Sequence, residues 1–149
     1  MSASPTPRSI AIALLWRADG ALLVTSAVEP GTGRTLVRPP GGGIEPTEAA
    51  ADAAVRELRE ELGVEISVGA PLGELEHRIA FAGRDLHELV HVFAATMAAD
   101  AVIPPTTDAG HPVWWLEPER FDDPALEIVP AGLRRLLGGA EPRDGNSQR

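Results

Sequence analysis

The chain has 149 residues, 44% hydrophobic and 23% charged, a balance that fits one globular domain and leaves no room for a second. Thirteen Lys and Arg against 22 Asp and Glu give a formal net charge of -9, which argues against a broad surface for duplex nucleic acid; an anionic ligand would have to be met by metal or by local arginines. The absence of cysteine excludes disulfides, thiolate metal sites and a cysteine nucleophile, and no apolar run approaches the ~20 residues of a membrane span, so the expected address is cytoplasmic.

Residues 1–8 are small, polar and broken by prolines, and predict a flexible tail; residues 139–149 predict a disordered one, leaving 9–138 as the folded domain. The run IAIALLW at residues 10–16 is short for a secretory signal and is followed by Arg-Ala-Asp-Gly in place of a small-residue cleavage site. Apolar on both faces, it predicts a central strand in a sheet covered on both sides. Asp19-Gly20 is a tight-turn dipeptide before strand-like residues 21–26, so residues 9–26 read as a hairpin. After a loop at residues 29–33, Leu36, Val37 and Arg38 form a short strand that feeds two prolines and a Gly41-Gly42-Gly43 turn.

The next stretch predicts one helix over residues 48–62. Thr47 is placed to cap it, Glu48 and Asp52 sit early where the helix dipole favours acids, and Gly63 ends it. Ala51, Ala54, Val55, Leu58 and Leu62 share one arc, narrow enough to pack closely on a sheet. Glu57, Glu60 and Glu61 share a neighbouring arc at i, i+3 and i+4, in the half of the helix that disfavours anions. Alone, such a face reads as solvated charge with Arg56 and Arg59 as partners. The glycines just upstream add bare backbone carbonyls, and clustered hard oxygen donors are what Mg²⁺ or Mn²⁺ takes.

This run, Gly42, Glu48, Arg56-Glu57-Leu58, Glu60-Glu61 and Gly63-Val64, resembles the Nudix box at every defining position over 23 residues. The resemblance implies an α/β/α sandwich on a mixed sheet. It implies a pyrophosphohydrolase that cleaves a nucleoside diphosphate linked to another moiety, a small nucleotide-like substrate. Glu57, Glu60 and Glu61 are then the expected ligands of a divalent metal, with the Gly41 or Gly42 carbonyl. Arg56 and Glu48 orient those carboxylates from behind. The general base falls either on Glu57 or on an acid outside the box, for which Asp108, six residues before Trp114, is the candidate; Asp108 reads more readily as a turn former after Thr106-Thr107.

Further along, residues 64–68 and 74–81 read as extended, with Gly69, Pro71 and Gly73 between them and a reversal at Gly83-Arg84-Asp85. Residues 89–96 pair back as a strand, 100–110 form a loop, and 113–116 form a last short strand. A helical turn over 118–123 and a terminal helix over 130–137 complete the chain. His87-Glu88-Leu89-Val90-His91 spells H-E-x-x-H, which on a helix would give two zinc ligands and a glutamate base, and so offers a metalloprotease as the alternative activity. On a strand the same two histidines stand ~13 Å apart and share no zinc. The β-branched residues and the preceding turn favour the strand. A non-catalytic nucleotide-binding regulator is a further alternative, although the full carboxylate set speaks for catalysis.

Substrate contacts are open at this level. Arg34, Arg38 and Arg78 are candidates for phosphates, and Trp16, Phe81 and Trp115 for stacking on a base. Exposed strand edges are compatible with a monomer or a homodimer.

Overall fold

The structure, a computed structural model, describes residues 6–140. Residues 1–5 and 141–149, where most of both expected tails falls, lie outside the described residues. The elements are β1 (Arg8–Leu14), β2 (Leu22–Val28), β3 (Thr35–Arg38), β4 (Gly41–Gly43), α1 (Ala50–Leu62), β5 (Ile66–Phe81), β6 (Arg84–Met97), β7 (Val113–Leu116), a 3₁₀ turn (Pro118–Arg120), β8 (Glu127–Ile128) and α2 (Leu133–Ala140).

The strands form two four-stranded sheets where one mixed sheet was expected, ordered β4-β1-β6-β5 and β7-β2-β3-β8. Each is mixed: β1 runs parallel to β6 and β3 parallel to β8, the other pairs being antiparallel. β1 is central, as its apolar run required. Its Ile10, Ile12 and Leu14 join Val24, Val37, Val90 and Leu133 in one core, and its Ala11 and Ala13, with Leu15 just beyond the strand, join Ala53, Ala54 and Leu58 of α1 in another. Alanine meeting alanine lets α1 lie close on the sheet, which brings its carboxylate face down onto β4.

Several local expectations need correcting. Residues 9–26 are not a hairpin: only the tip pairs, through the Trp16 to Leu22 bridge, and the two strands then diverge into different sheets. The three glycines are not a turn but a strand. With no side chains, β4 pairs flush with β1, and a Cβ at Gly41 would strike the Ala11 backbone. α1 begins at Ala50, with Ala49 at its N-cap and no side-chain cap, so Thr47 does not cap it; the pull of Glu48 toward Arg56 keeps the preceding turn outside the helix. Gly69, Pro71 and Gly73 bulge one long strand without ending it. The reversal lies at Ala82-Gly83, both at positive φ, one step before the residues expected. The terminal helix starts at Leu133 and not at residue 130.

Candidate active site

Three short elements meet at the carboxylate face of α1. Glu57 lies against Gly42 so closely that a Cβ there would overlap its carboxylate. Glu61, one helical turn on, accepts a hydrogen bond at 3.3 Å from the Gly41 N–H. The loop before β7 closes the far end, where the Asp108 N–H donates to the Glu61 carbonyl at 3.1 Å. Thr107 beside it is buried and anchors that loop: its N–H donates to the His111 carbonyl at 2.8 Å, and its hydroxyl accepts from the His111 N–H at 3.1 Å.

Arg56 binds this group from behind. Its guanidinium donates to both oxygens of Glu48 at 2.8 Å, to Glu57 at 3.1 Å, to Glu60 at 3.1 and 3.2 Å and to the Gly43 carbonyl at 2.9 Å. One planar cation therefore ties helix, preceding turn and β4 together. The fork holds Glu48 far on the ionised side, its pKa lowered to about 2 by the hydrogen bonds from Arg56. Glu60 is held by Arg56 on the more exposed side of the face, so the three carboxylates of the sequence arc are not equivalent: Glu57 and Glu61 face β4, and Glu60 faces outward.

Glu61 has the opposite electrostatics to Glu48. Its pKa is raised to about 7, chiefly by burial and then by the neighbouring charges of Glu57 and Asp108, against the pull of Arg38 and the Gly41 N–H. A carboxylate pushed this far toward its neutral form is short of positive charge. Among the described residues no three His, Cys, Asp or Glu side chains are already gathered around one point as a cation cage. The donor chemistry nevertheless fits a hard divalent cation, since Glu57 and Glu61 converge on a bare glycine strand whose carbonyls supply further oxygens.

Of the arginines proposed for phosphates, Arg38 alone is brought to this group: its Nη2 donates to the Gly41 carbonyl at 3.4 Å and its charge acts on Glu61. Arg34 is committed elsewhere, to Glu29, Glu127 and the Ala80 carbonyl, where it ties the β2–β3 loop to the tip of β5. Arg78 points into solvent beside Glu76. A cavity of about 300 Å³ opens next to Arg38, walled by Leu36, Ile79, His77, Glu88, His111 and Pro130 among others. None of the suggested stacking residues reaches it. Trp16 packs on Phe121 in the core, Trp115 lies under Arg17 in a separate groove, and Phe81 is at the tip of β5. His77, Glu88 and His111 were missed as site residues. The alternation of β5 and β6 could have grouped His77 with Glu88, but their pairing register is not readable from spacing alone.

The H-E-x-x-H run lies on β6, a strand. His87 meets Glu76 at 2.6 Å and His91 stands 3.9 Å from Glu74, two separate cross-strand pairs, and Glu88 between them turns to the other face and the cavity. The zinc-protease arrangement is therefore not formed.

A family model of the NUDIX domain matches residues 5–137. The chain belongs to the NUDIX family. This NUDIX chain is similar to the isopentenyl-diphosphate Delta-isomerase of Cereibacter sphaeroides, 36% identical over 105 residues that cover 61% of this chain and 58% of that one. It is also similar to the CTP pyrophosphohydrolase of Escherichia coli, 36% identical over 76 residues, 51% of this chain and 55% of that one. The NUDIX chain thus spans little more than half the length of either relative. In fold it resembles the MutT protein of Methanosarcina mazei, with a TM-score of 0.65 at 20% identity over 93% of this chain and 95% of that one. No helix among the described residues is long and apolar enough to cross a membrane.

Proposed function

We propose that the chain is a divalent-metal-dependent pyrophosphohydrolase acting on a small nucleotide-like anhydride, a nucleoside diphosphate linked to another moiety. The observation that carries this reading is the convergence of Glu57 and Glu61 on the Gly41-Gly42 strand, beside a cavity that opens at Arg38. The sequence similarity to a CTP pyrophosphohydrolase supports the reaction class.

Glu57, Glu61 and the Gly41 or Gly42 carbonyl would hold Mg²⁺ or Mn²⁺, with Glu60 available at the outer edge. When bound, the ion supplies charge neutralisation for the pyrophosphate and a lowered pKa for attacking water. The protein's own residues do the rest. Arg56 fixes the carboxylates so that they need no reorganisation when the substrate arrives. Arg38 extends from the Gly41 carbonyl toward the cavity, where it can bind a phosphate oxygen while the organic half enters between β5 and β3. Half-buried Glu61 can hold a proton near neutral pH, and Glu57 remains the acid best placed to accept one from water; Asp108, exposed on the closing loop, is the outside alternative.

The test is phosphate or pyrophosphate release from a panel of nucleoside di- and triphosphate derivatives, with Mg²⁺, Mn²⁺ or chelator. Turnover of at least one compound, abolished by chelator, is expected; no turnover of any compound with either metal overturns the proposal.

A further inference from the structure

The cavity beside Arg38 is lined by polar groups that the hydrolytic chemistry does not use, His77 and Glu88 together with Thr25, Ser26 and His111. His77 of β5 and Glu88 of β6 are register partners on adjacent strands, so their side chains stand side by side on the cavity wall. His77 is only 5% exposed, and its Nδ1 accepts a hydrogen bond at 3.0 Å from the Ala131 N–H. An acceptor nitrogen cannot carry a proton, so the ring is neutral and its remaining nitrogen is an N–H donor. Burial, the leading cause of its lowered pKa, keeps it in that form against the nearby charge of Glu88. Glu88 makes no hydrogen bond or ion pair among the described residues, which leaves both oxygens as free acceptors at the cavity. The Thr25 hydroxyl is committed to the Arg38 carbonyl and the Ser26 hydroxyl accepts from the Trp114 indole N–H, His111 is the other polar side chain of the wall, and Leu36, Ile79, Leu86 and Val129 make up most of the rest.

These groups define the ligand edge that fits. His77 offers one donor and must meet an acceptor; Glu88 offers two acceptors and is satisfied by two parallel N–H groups. The Glu88 charge repels a phosphate, which is met instead by Arg38, the one cation among the described residues lining the same cavity. Adenine and cytosine present one amino donor beside an unprotonated ring nitrogen, whose lone pair would face the second Glu88 oxygen. Uracil presents a single N–H between two carbonyls. A 2-amino-6-oxopurine presents a carbonyl followed by two N–H donors, and it fits both partners at once.

We propose that His77 and Glu88 are specificity-determining residues that select a guanine-type base as the organic half of the substrate. The inference rests on the hydrolytic reading only in placing the polyphosphate at Arg38 and α1. It is tested by calorimetric titration of GMP, IMP, AMP, CMP and UMP, which lack a pyrophosphate bond, into wild-type protein and Glu88→Gln. Wild type should bind GMP at least about tenfold more tightly than the rest, with IMP weakened by loss of its 2-amino donor. Glu88→Gln should lose at least about tenfold for GMP and change less than about twofold for UMP. Equal binding of all five, no binding of any, or undiminished GMP affinity in Glu88→Gln overturns the inference. A protein that ranks the monophosphates as expected yet releases phosphate from no anhydride leaves this specificity standing and refutes the hydrolytic reading instead.

Discussion

Helix α1 and strand β6 both carry potential metal ligands four residues apart, with opposite results. On α1, Glu57 and Glu61 lie one turn apart on the same face, and both reach the glycine strand β4. On β6, His87 and His91 share a face too, but four residues of strand set them ~13 Å apart, and each finds a different glutamate on β5. Identical spacing therefore means a shared site on one element and two unrelated surface pairs on the other. The backbone period decides whether a motif is chemistry or coincidence.

The largest expected effect sharpens this contrast at Glu57. Glu57→Gln keeps the size of the side chain and removes its charge, and kcat with Mg²⁺ should fall by at least ~10²-fold, measured on whichever panel compound wild type turns over best. Arg56→Ala should cost about 10–100-fold in activity or metal affinity, because Glu48, Glu57 and Glu60 lose their common partner; Arg56→Lys, with no fork, should recover only part.

Glu61 makes a pH-dependent prediction. Its folded pKa of about 7 is above the ordinary 4.5, so in chelator its protonated form favours the folded state at low pH, and that contribution disappears as pH rises through 7. Fully ionised, it costs the metal-free fold roughly 3 kcal/mol at most. In chelator, Glu61→Gln should therefore melt several degrees above wild type at pH 8 and close to it at pH 5. Conversely, Mg²⁺ should raise the wild-type Tm more at pH 8 than at pH 6, where binding must displace a proton. An unchanged Mg²⁺ shift across that range would break the claim that Glu61 is a ligand. The smallest effect belongs to Arg34→Ala, which removes a surface tie among Glu29, Glu127 and Ala80: Tm should drop by a few degrees and kcat should hold.

Much of the site is legible in the sequence because it is local. Residues 39–64 specify a helix whose carboxylates repeat with its own period, and the apolar β1 run announces a strand buried on two faces. What the sequence hides depends on pairing between distant segments. The split into two sheets turns on β2 leaving β1 after a single bridge, and the Gly41-Gly42-Gly43 strand is recognisable only from distant neighbours that leave no room for side chains, the Ala11 backbone at Gly41, the Glu57 carboxylate at Gly42 and the Arg8 guanidinium at Gly43. The cavity wall of His77 and Glu88 exists because β5 and β6 pair in one register; a one-residue slip would part them onto opposite faces of the sheet. Thr47 was a reasonable cap by residue type, but Glu48 is drawn away to Arg56, and a tertiary ion pair overrides the local preference.

The contrast between α1 and β6 is decided most directly by assaying Glu61→Gln and His87→Ala side by side for metal-dependent release of phosphate, with circular dichroism to establish that both are folded. Loss of nearly all turnover in Glu61→Gln, with His87→Ala within about twofold of wild type, is the predicted result, since a truncated surface pair is worth little. Full activity in Glu61→Gln, or its loss in His87→Ala, would contradict a reaction run from the carboxylates of α1.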